Sequence, residues 1–215
     1  MDDDRATVLD RALDALSARG IDLDVPAVPF CPHKPWPKQA AFLSPTVTGI
    51  EEVFYGGAVG GAKSVALLMA ALQYVDHPGY KAVLVRKTFS MLNQPDSLIP
   101  MSKQWLLGKG PVYNESKHDW TFPSGAVLVF RHMQDNAAIA DFQGASYHYI
   151  GIDEVTDLTL EQYQFIAFSR MRRVVGDNIP IRVRSASNPI GTGRDWVYAR
   201  FVVKGPTEGR LSIPA

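Results

Sequence analysis

Between Val53 and Leu72 the sequence reads VFYGGAVGGAKSVALLMAAL. A short apolar run leads into a glycine-rich turn, and the turn delivers one lysine and one hydroxyl, Lys63 and Ser64, to the start of an apolar helical stretch. That order implies a chemistry. Glycines let the backbone close around an anion, the free N–H groups of a helix start face it, an ammonium adds a mobile positive charge, and a hydroxyl can ligate a divalent cation. Counted back from the lysine, Gly57 to Ser64 reads GAVGGAKS against the pattern G-x-x-x-x-G-K-[ST], with Ala62 in place of the last glycine. Gly56, Gly57, Gly60 and Gly61 still supply backbone that a ligand can approach closely. The residues predict a polyphosphate cradle built from Gly57, Gly60, Gly61, Ala62, Lys63 and Ser64.

About 90 residues further on, YHYIGIDEVTDL (Tyr147 to Leu158) is an apolar run that ends in Asp153-Glu154. Alone, such a pair is most often a solvated acidic loop at a strand end. After a phosphate loop it divides two jobs: Asp153 holds Mg²⁺, and Glu154 orients and deprotonates a water that attacks a γ-phosphate. The two stretches resemble a Walker A loop and a Walker B strand with a catalytic glutamate. In that reading the ligands are ATP and Mg²⁺, Lys63 reaches the β and γ phosphates, and Ser64 is a second metal ligand. A water-activating glutamate favours a hydrolase over a small-molecule kinase.

Positioning these groups requires a sheet. Glu51 to Tyr55, Lys81 to Arg86, Ala126 to Arg131, Tyr147 to Asp153 and Ile181 to Ser187 read as strands; Lys63 to Tyr74, Ser97 to Leu107 and Leu160 to Phe168 read as helices. Asp119 to Phe130, with Pro123-Ser124-Gly125 at its turn, reads as a hairpin. The alternation predicts an α/β fold: a P-loop NTPase of the additional-strand, catalytic-glutamate type, with a mostly parallel central sheet flanked by helices. Ahead of it, Val8, Leu9, Ala12, Leu13 and Leu16 mark a short amphipathic helix closed by Gly20. Five prolines between Pro26 and Pro37 then predict an extended connector. The expected organisation is helix and connector over 1–35, an ATPase domain over 36–203, and a tail or linker start over 204–215.

Composition narrows the partners. The chain has 215 residues, 46% hydrophobic and 20% charged, which is ordinary globular content. Lysine and arginine total 22 against 22 aspartates and glutamates, so no global positive field attracts nucleic acid or an anionic membrane, and any such binding needs a local patch. Cys31 is the single cysteine and the five histidines lack metal-ligand spacing, which excludes a disulfide scaffold and a zinc module. The longest aliphatic stretch, Val65 to Leu72, is too short to cross a membrane, and the acidic start MDDDR is unlike a secretory signal. An intracellular protein without a membrane partner is expected.

Three further segments fall in order around the two motifs and carry a family resemblance. PWPKQAAFL (Pro35 to Leu43) resembles the adenine-recognising glutamine motif of phage terminase large subunits, with Gln39 in the place of the amide. SRMRR (Ser169 to Arg173) and SASNP (Ser185 to Pro189) resemble that family's arginine-bearing segment and its coupling motif. The likeness runs from Trp36 to about Val203, closing on GTGRDWVYARFV. It implies an ATP-driven motor domain that translocates double-stranded DNA into a procapsid. The implied partners are duplex DNA, further copies of the chain in a ring, the portal protein and the terminase small subunit, and the implied location is the host cytoplasm. It also implies the ATPase half alone, since no residues remain after Ala215 for the family's nuclease domain. Ser187 and Asn188 are then the coupling residues that sense the γ-phosphate.

Two family positions depart here. Val59 and Gln143 stand where members carry the arginine that stabilises the transition state, which leaves Arg170, Arg172 and Arg131 as candidates; Arg170 is taken as the catalytic one. Trp36 and Phe42 are candidates to flank the base. Arginines 170, 172, 173, 182 and 184 lie within fifteen residues; such a run reads by default as a solvated face, and as a DNA-facing patch if the resemblance holds. A RecA-like helicase and a catalytically silent nucleotide-binding assembly module stay open as alternatives.

Overall fold

The protein is described by a computed structural model over residues 27–44, 50–57, 62–142, 144–171 and 179–214. The expected N-terminal helix, Val59, Gly60, Gly61, Gln143, Arg172 and Arg173 lie outside these residues. The strands are β1 (Glu52–Gly56), β2 (Lys81–Arg86), β3 (Val112–Asn114), β4 (Asp119–Thr121), β5 (Val127–His132), β6 (Tyr149–Asp153), β7 (Arg182–Ser187) and β8 (Leu211–Pro214). The α-helices are α1 (Pro37–Leu43), α2 (Lys63–Leu72), α3 (Phe89–Leu92), α4 (Leu98–Leu106), α5 (Leu160–Ser169) and α6 (Arg194–Val197), the last running into a π-helical stretch, Tyr198–Val203.

The eight strands of the described residues form one sheet in the order β3-β4-β5-β2-β6-β7-β1-β8. From β5 to β8 every neighbouring pair is parallel; only β3–β4 and β4–β5 are antiparallel, and β4–β5 is the hairpin expected across Pro123-Ser124-Gly125. Because strand side chains alternate between faces, each strand feeds two cores. Val53, Tyr55, Ala82, Leu84, Leu128, Phe130 and Tyr149 enter the core under α1, α2 and α4. Phe54, Val83, Val85, Val129, Ile150, Ile152 and Val183 enter the core under α5, α6 and the π-helical stretch. Burial on both faces is why β2 reads as an unbroken apolar run. Helix α2 is apolar all round, and Ala66 to Leu72 are fully buried. Each large aliphatic side chain in it contributes on the order of 2 kcal/mol by leaving water.

Two expected boundaries move. Val28, Phe30 and Cys31 of the proline-rich connector pack on the first core, so ordered packing begins before Trp36. Residues 204–215, expected as a tail or linker start, instead carry β8, which pairs with β1 from Val53↔Leu211 to Gly56↔Pro214. The four-residue strand was too short for periodicity to reveal.

The topology decides where chemistry can occur. Strand β7 lies between β1 and β6, so the ends of the strands that carry the phosphate loop, the SASNP segment and the acidic pair emerge side by side at the carboxyl edge of the sheet.

Candidate active site

The loop that leaves β1 returns at Ala62, which adopts φ 47° in the left-handed region. Here the Walker A pattern has glycine, and alanine accepts that conformation at a cost of about 1 kcal/mol. Lys63 opens α2. Its Nζ donates to Asn188 Oδ1 at 2.9 Å and to the Gly57 carbonyl at 3.4 Å. Burial pulls the ammonium below the ordinary lysine range, against the opposing pull of Glu154 and Asp153. The ten-residue helix α2 points its N-terminus at the same place, adding partial positive charge.

Ser64, the next residue, places Oγ 3.1 and 3.0 Å from the two carboxylate oxygens of Asp153. Asp153 is the last residue of β6 and only 2% exposed. Burial raises its carboxyl to about 6; Arg86 and Ser64 pull it down and Glu154 pushes it further up. Arg86, at the end of β2, brings Nε to 3.0 Å from Asp153 Oδ2. An aspartate and a serine hydroxyl are hard oxygen donors that suit Mg²⁺. Among the described residues no cluster of three or more His, Cys, Asp or Glu side chains exists to cage a metal. The donor set therefore fits an ion that keeps waters and takes its remaining ligands from phosphates, as Mg²⁺ does.

Glu154 follows in the left-handed region, φ 50°. That turn sends the two neighbouring carboxylates to different partners. Glu154 Oε2 accepts the Ser187 hydroxyl at 2.9 Å and the Asn188 N–H at 3.3 Å, and Oε1 accepts from Asn188 Nδ2 at 3.4 Å. Asn188 thus spans the site, accepting from Lys63 through Oδ1 and donating to Glu154 through Nδ2.

The fold can be compared with solved proteins. The large terminase of a thermophilic bacteriophage superposes with a TM-score of 0.63 at 17% identity, over 82% of this chain and 44% of that one. The HK97 bacteriophage large terminase gives 0.63 at 12% identity, over 86% and 41%. The thermophilic phage protein in complex with ATP-γ-S gives 0.58 at 18% identity, over 82% and 43%. In fold, the chain is similar to the phage large terminases. At these identities the likeness is one of fold, and the match takes in less than half the length of each terminase. No protein-family profile matches the sequence, and no curated protein does.

Within this terminase-like frame the residues expected to act divide into two groups. Gly57, Ala62, Lys63, Ser64, Asp153, Glu154, Ser187 and Asn188 come together at one sheet edge. Gln39 comes close but is fully buried, and its amide is engaged: Oε1 accepts the Trp36 N–H at 3.1 Å and Nε2 donates to the Ala62 carbonyl at 3.2 Å. It ties the start of α1 to the end of the phosphate loop rather than presenting a free edge to a base. Of the two aromatics expected to flank that base, Trp36 is exposed and stacks on His33, while Phe42 is core, packed on Tyr55.

Arg170 does not join the site of its own chain. Its carbonyl accepts the Tyr147 N–H at the start of the β6 segment, and its guanidinium lies over Phe165. Asp153 is six residues further along an extended strand, about 20 Å away at ~3.3 Å per residue. Arg131 is held elsewhere too, by the Lys117 and Phe130 carbonyls.

Arg182 and Arg184 correct the expected solvated or DNA-facing run, because both are fully buried. They occupy the β7 positions that face α1 and α2, at the C-terminal ends of those helices. Arg184 Nε donates to the Phe42 carbonyl in the last turn of α1, and its Nη1 donates to the Glu51 carbonyl. Arg182 Nη2 donates to the Ala70 carbonyl in the last turn of α2, Nη1 donates to Gln73 Oε1, and the guanidinium stacks over Tyr74 and Tyr149. Helix ends present unpaired carbonyls and partial negative charge, which is what a buried cation needs in place of a carboxylate.

Sequence reasoning missed Arg86, because nothing in VLVRK places it beside Asp153 until β2 pairs with β6. It also missed Gly191 and Gly193. A Cβ on Gly191 would meet the Thr156 carbonyl at 2.8 Å, and one on Gly193 would meet the Leu158 carbonyl at 2.5 Å. These glycines let the segment after Asn188 lie directly on the segment after Glu154, where the Gly193 N–H donates to the Thr156 carbonyl at 2.7 Å. The signal was present in GTGRDW, but only as two glycines.

Proposed function

We propose that this chain is an ATP-hydrolysing motor domain of the large-terminase type, which uses the free energy of hydrolysis to move double-stranded DNA into a procapsid. The observation that carries the reading is the convergence at a single sheet edge of two hydrogen-bonded sets, Lys63–Asn188–Glu154 and Ser64–Asp153. The insertion of β7 between β1 and β6 supports the additional-strand, catalytic-glutamate type of P-loop ATPase.

The roles follow from position. The Lys63 ammonium neutralises the β and γ phosphates, and the N-terminus of α2 receives them. Ser64 and Asp153 hold Mg²⁺, which when bound offsets phosphate charge. Glu154 orients a water and takes its proton as the water oxygen bonds to the γ-phosphorus and the bond to the β–γ bridging oxygen breaks, giving ADP and phosphate. Ser187 and Asn188 bond Glu154, so a γ-phosphate arriving at Lys63 competes for the Asn188 side chain and alters how Glu154 is held. That exchange is the coupling step, passed into the segment that Gly191 and Gly193 seat on Thr156 and Leu158. The portal, the small subunit and a ring of copies as partners rest on the fold likeness alone.

Phosphate release by the purified chain, with ATP and Mg²⁺ and with either duplex or single-stranded DNA, tests the reading. Hydrolysis stimulated by duplex supports the motor; stimulation by single strands only favours a helicase; nucleotide binding without hydrolysis under any condition overturns the reading in favour of an assembly module.

A further inference from the structure

The transition state of γ-phosphoryl transfer spreads negative charge over oxygens that one lysine and one cation do not fully meet, and an arginine supplied there is worth ~10³ to 10⁵ in rate. The described arginines can be sorted by what holds them. Arg182 and Arg184 are locked in the core. Arg200 and Arg210 share the Glu52 carboxylate at the opposite end of β1 from the phosphate loop. Arg131 is tied to the Lys117 carbonyl, Arg170 lies over Phe165, and Arg194 pairs with Asp195 with its side chain 64% exposed. Arg86 alone among them forms an ion pair with a member of the site.

Its placement comes from the sheet. β2 and β6 are parallel neighbours, so the last residue of each, Arg86 and Asp153, emerges at the same edge. The Arg86 side chain is 15% exposed and held at two points, Nε at 3.0 Å from Asp153 Oδ2 and Nη1 donating to the Met91 carbonyl at 2.7 Å. Met91 is in turn fixed by α3, whose first turn Thr88 caps by accepting the Met91 N–H. The guanidinium is therefore preorganised at the carboxylate that faces Ser64, which is the condition for electrostatic stabilisation without reorganisation at the moment of reaction.

We propose that Arg86 is a cis-acting catalytic arginine, held at the carboxyl edge of the sheet by Asp153 and Met91 so that its charge meets the γ-phosphoryl group of a bound nucleoside triphosphate. The inference rests on the ATPase reading above. It removes the need for a neighbouring subunit to complete the site chemically, whatever role a ring has in gripping DNA.

Arg86→Gln and Arg86→Lys, compared with the unaltered chain, test it. With a fluorescent nucleotide as probe, Arg86→Gln is expected to bind ADP and ATP-γ-S within about threefold of the unaltered chain. Its tightened complex with ADP and aluminium fluoride should be lost, and turnover should fall by at least ~10³. Arg86→Lys keeps the charge but not the fork and should recover part of both. Mixing Arg86→Gln with Lys63→Ala subunits should rescue nothing, and specific activity of the unaltered chain should be flat with protein concentration. Rescue on mixing, or retained aluminium fluoride affinity and turnover in a folded Arg86→Gln protein, overturns the proposal. An unaltered chain that never hydrolyses ATP overturns the ATPase reading instead, so the two failures are distinct.

Discussion

The Lys63 ammonium donates to the Asn188 side-chain oxygen at 2.9 Å, across 125 residues of sequence. On the proposed reading, Asn188 sits on the charge that a γ-phosphate would claim. Replacing it with alanine leaves the phosphate cradle intact but cuts the link to Glu154. Asn188→Ala should therefore keep ATP affinity within a few-fold while hydrolysis falls ~10- to 100-fold. Combined with Glu154→Gln it should cost little more than Glu154→Gln alone, because the residues act as a unit. Additive losses in single-turnover kinetics would show that the two act independently.

Lys63→Ala removes the ammonium that the proposed function assigns to the phosphates and should abolish measurable ATP binding by fluorescence titration. Glu154→Gln keeps shape and hydrogen bonds but loses the base, so binding should persist while turnover drops by ~10² to 10⁴. If Glu154→Gln instead loses its Mg²⁺ dependence and keeps turnover, the roles of Asp153 and Glu154 are exchanged.

Asp153 gives the site a pH signature. Its folded carboxyl is raised to about 6 from an ordinary 3.8. The native state therefore holds this proton more tightly than the unfolded chain does. The resulting stabilisation is fully present below the unfolded value and is lost as pH rises through about 6. Asp153→Asn has no such titration, so the stability difference between the two proteins should move in the variant's favour by on the order of 2 to 3 kcal/mol between pH 4 and pH 7. Denaturant titrations at several pH values read this directly, and parallel curves would contradict it.

Ala62 is strained where the Walker A pattern has glycine. Ala62→Gly should stabilise the nucleotide-free protein by about 1 kcal/mol, reduced by the greater freedom of glycine in the unfolded chain, and leave ATP affinity intact. A destabilised Ala62→Gly protein in urea melts would mean that the left-handed conformation carries no penalty here.

Arg184→Ala strips the Phe42 and Glu51 carbonyls of a buried charged donor and should cost ~2 to 4 kcal/mol in thermal or urea unfolding. It should not change the salt dependence of DNA binding by the folded fraction, whereas a phosphate contact would reduce that slope.

The parts legible in the sequence were those whose meaning is local. The predicted phosphate loop is eight contiguous residues and the acidic pair two, and the strand and helix that flank the first and the strand that ends in the second form where the apolar runs predict. Arg86 was illegible because its partner lies across a strand pairing that no window contains. Arg182 and Arg184 misled for a related reason: in RVRSAS the arginines alternate with small and apolar residues, as on a strand with one wet face. In a buried parallel strand that alternation instead aims them at the ends of two helices, and only the packing of α1 and α2 reveals which.

Strand β7 has a mechanical consequence of its own. It is registered to β1 over five residue pairs, Glu52↔Val183 to Gly56↔Ser187, and to β6 over five more, Tyr149↔Arg182 to Asp153↔Ala186. Its two arginines pin it from above to the ends of α1 and α2. A strand clamped on three sides cannot act as a sliding rod, since any axial step breaks two ladders at once. After Ser187 the chain leaves the sheet and both ladders, and two residues without side chains rest on the backbone of Thr156 and Leu158. If the chain is the motor proposed above, its stroke would have to start in the segment from Asn188 to Gly193 rather than in β7, and stiffening that segment should stall output while leaving fuel consumption in place.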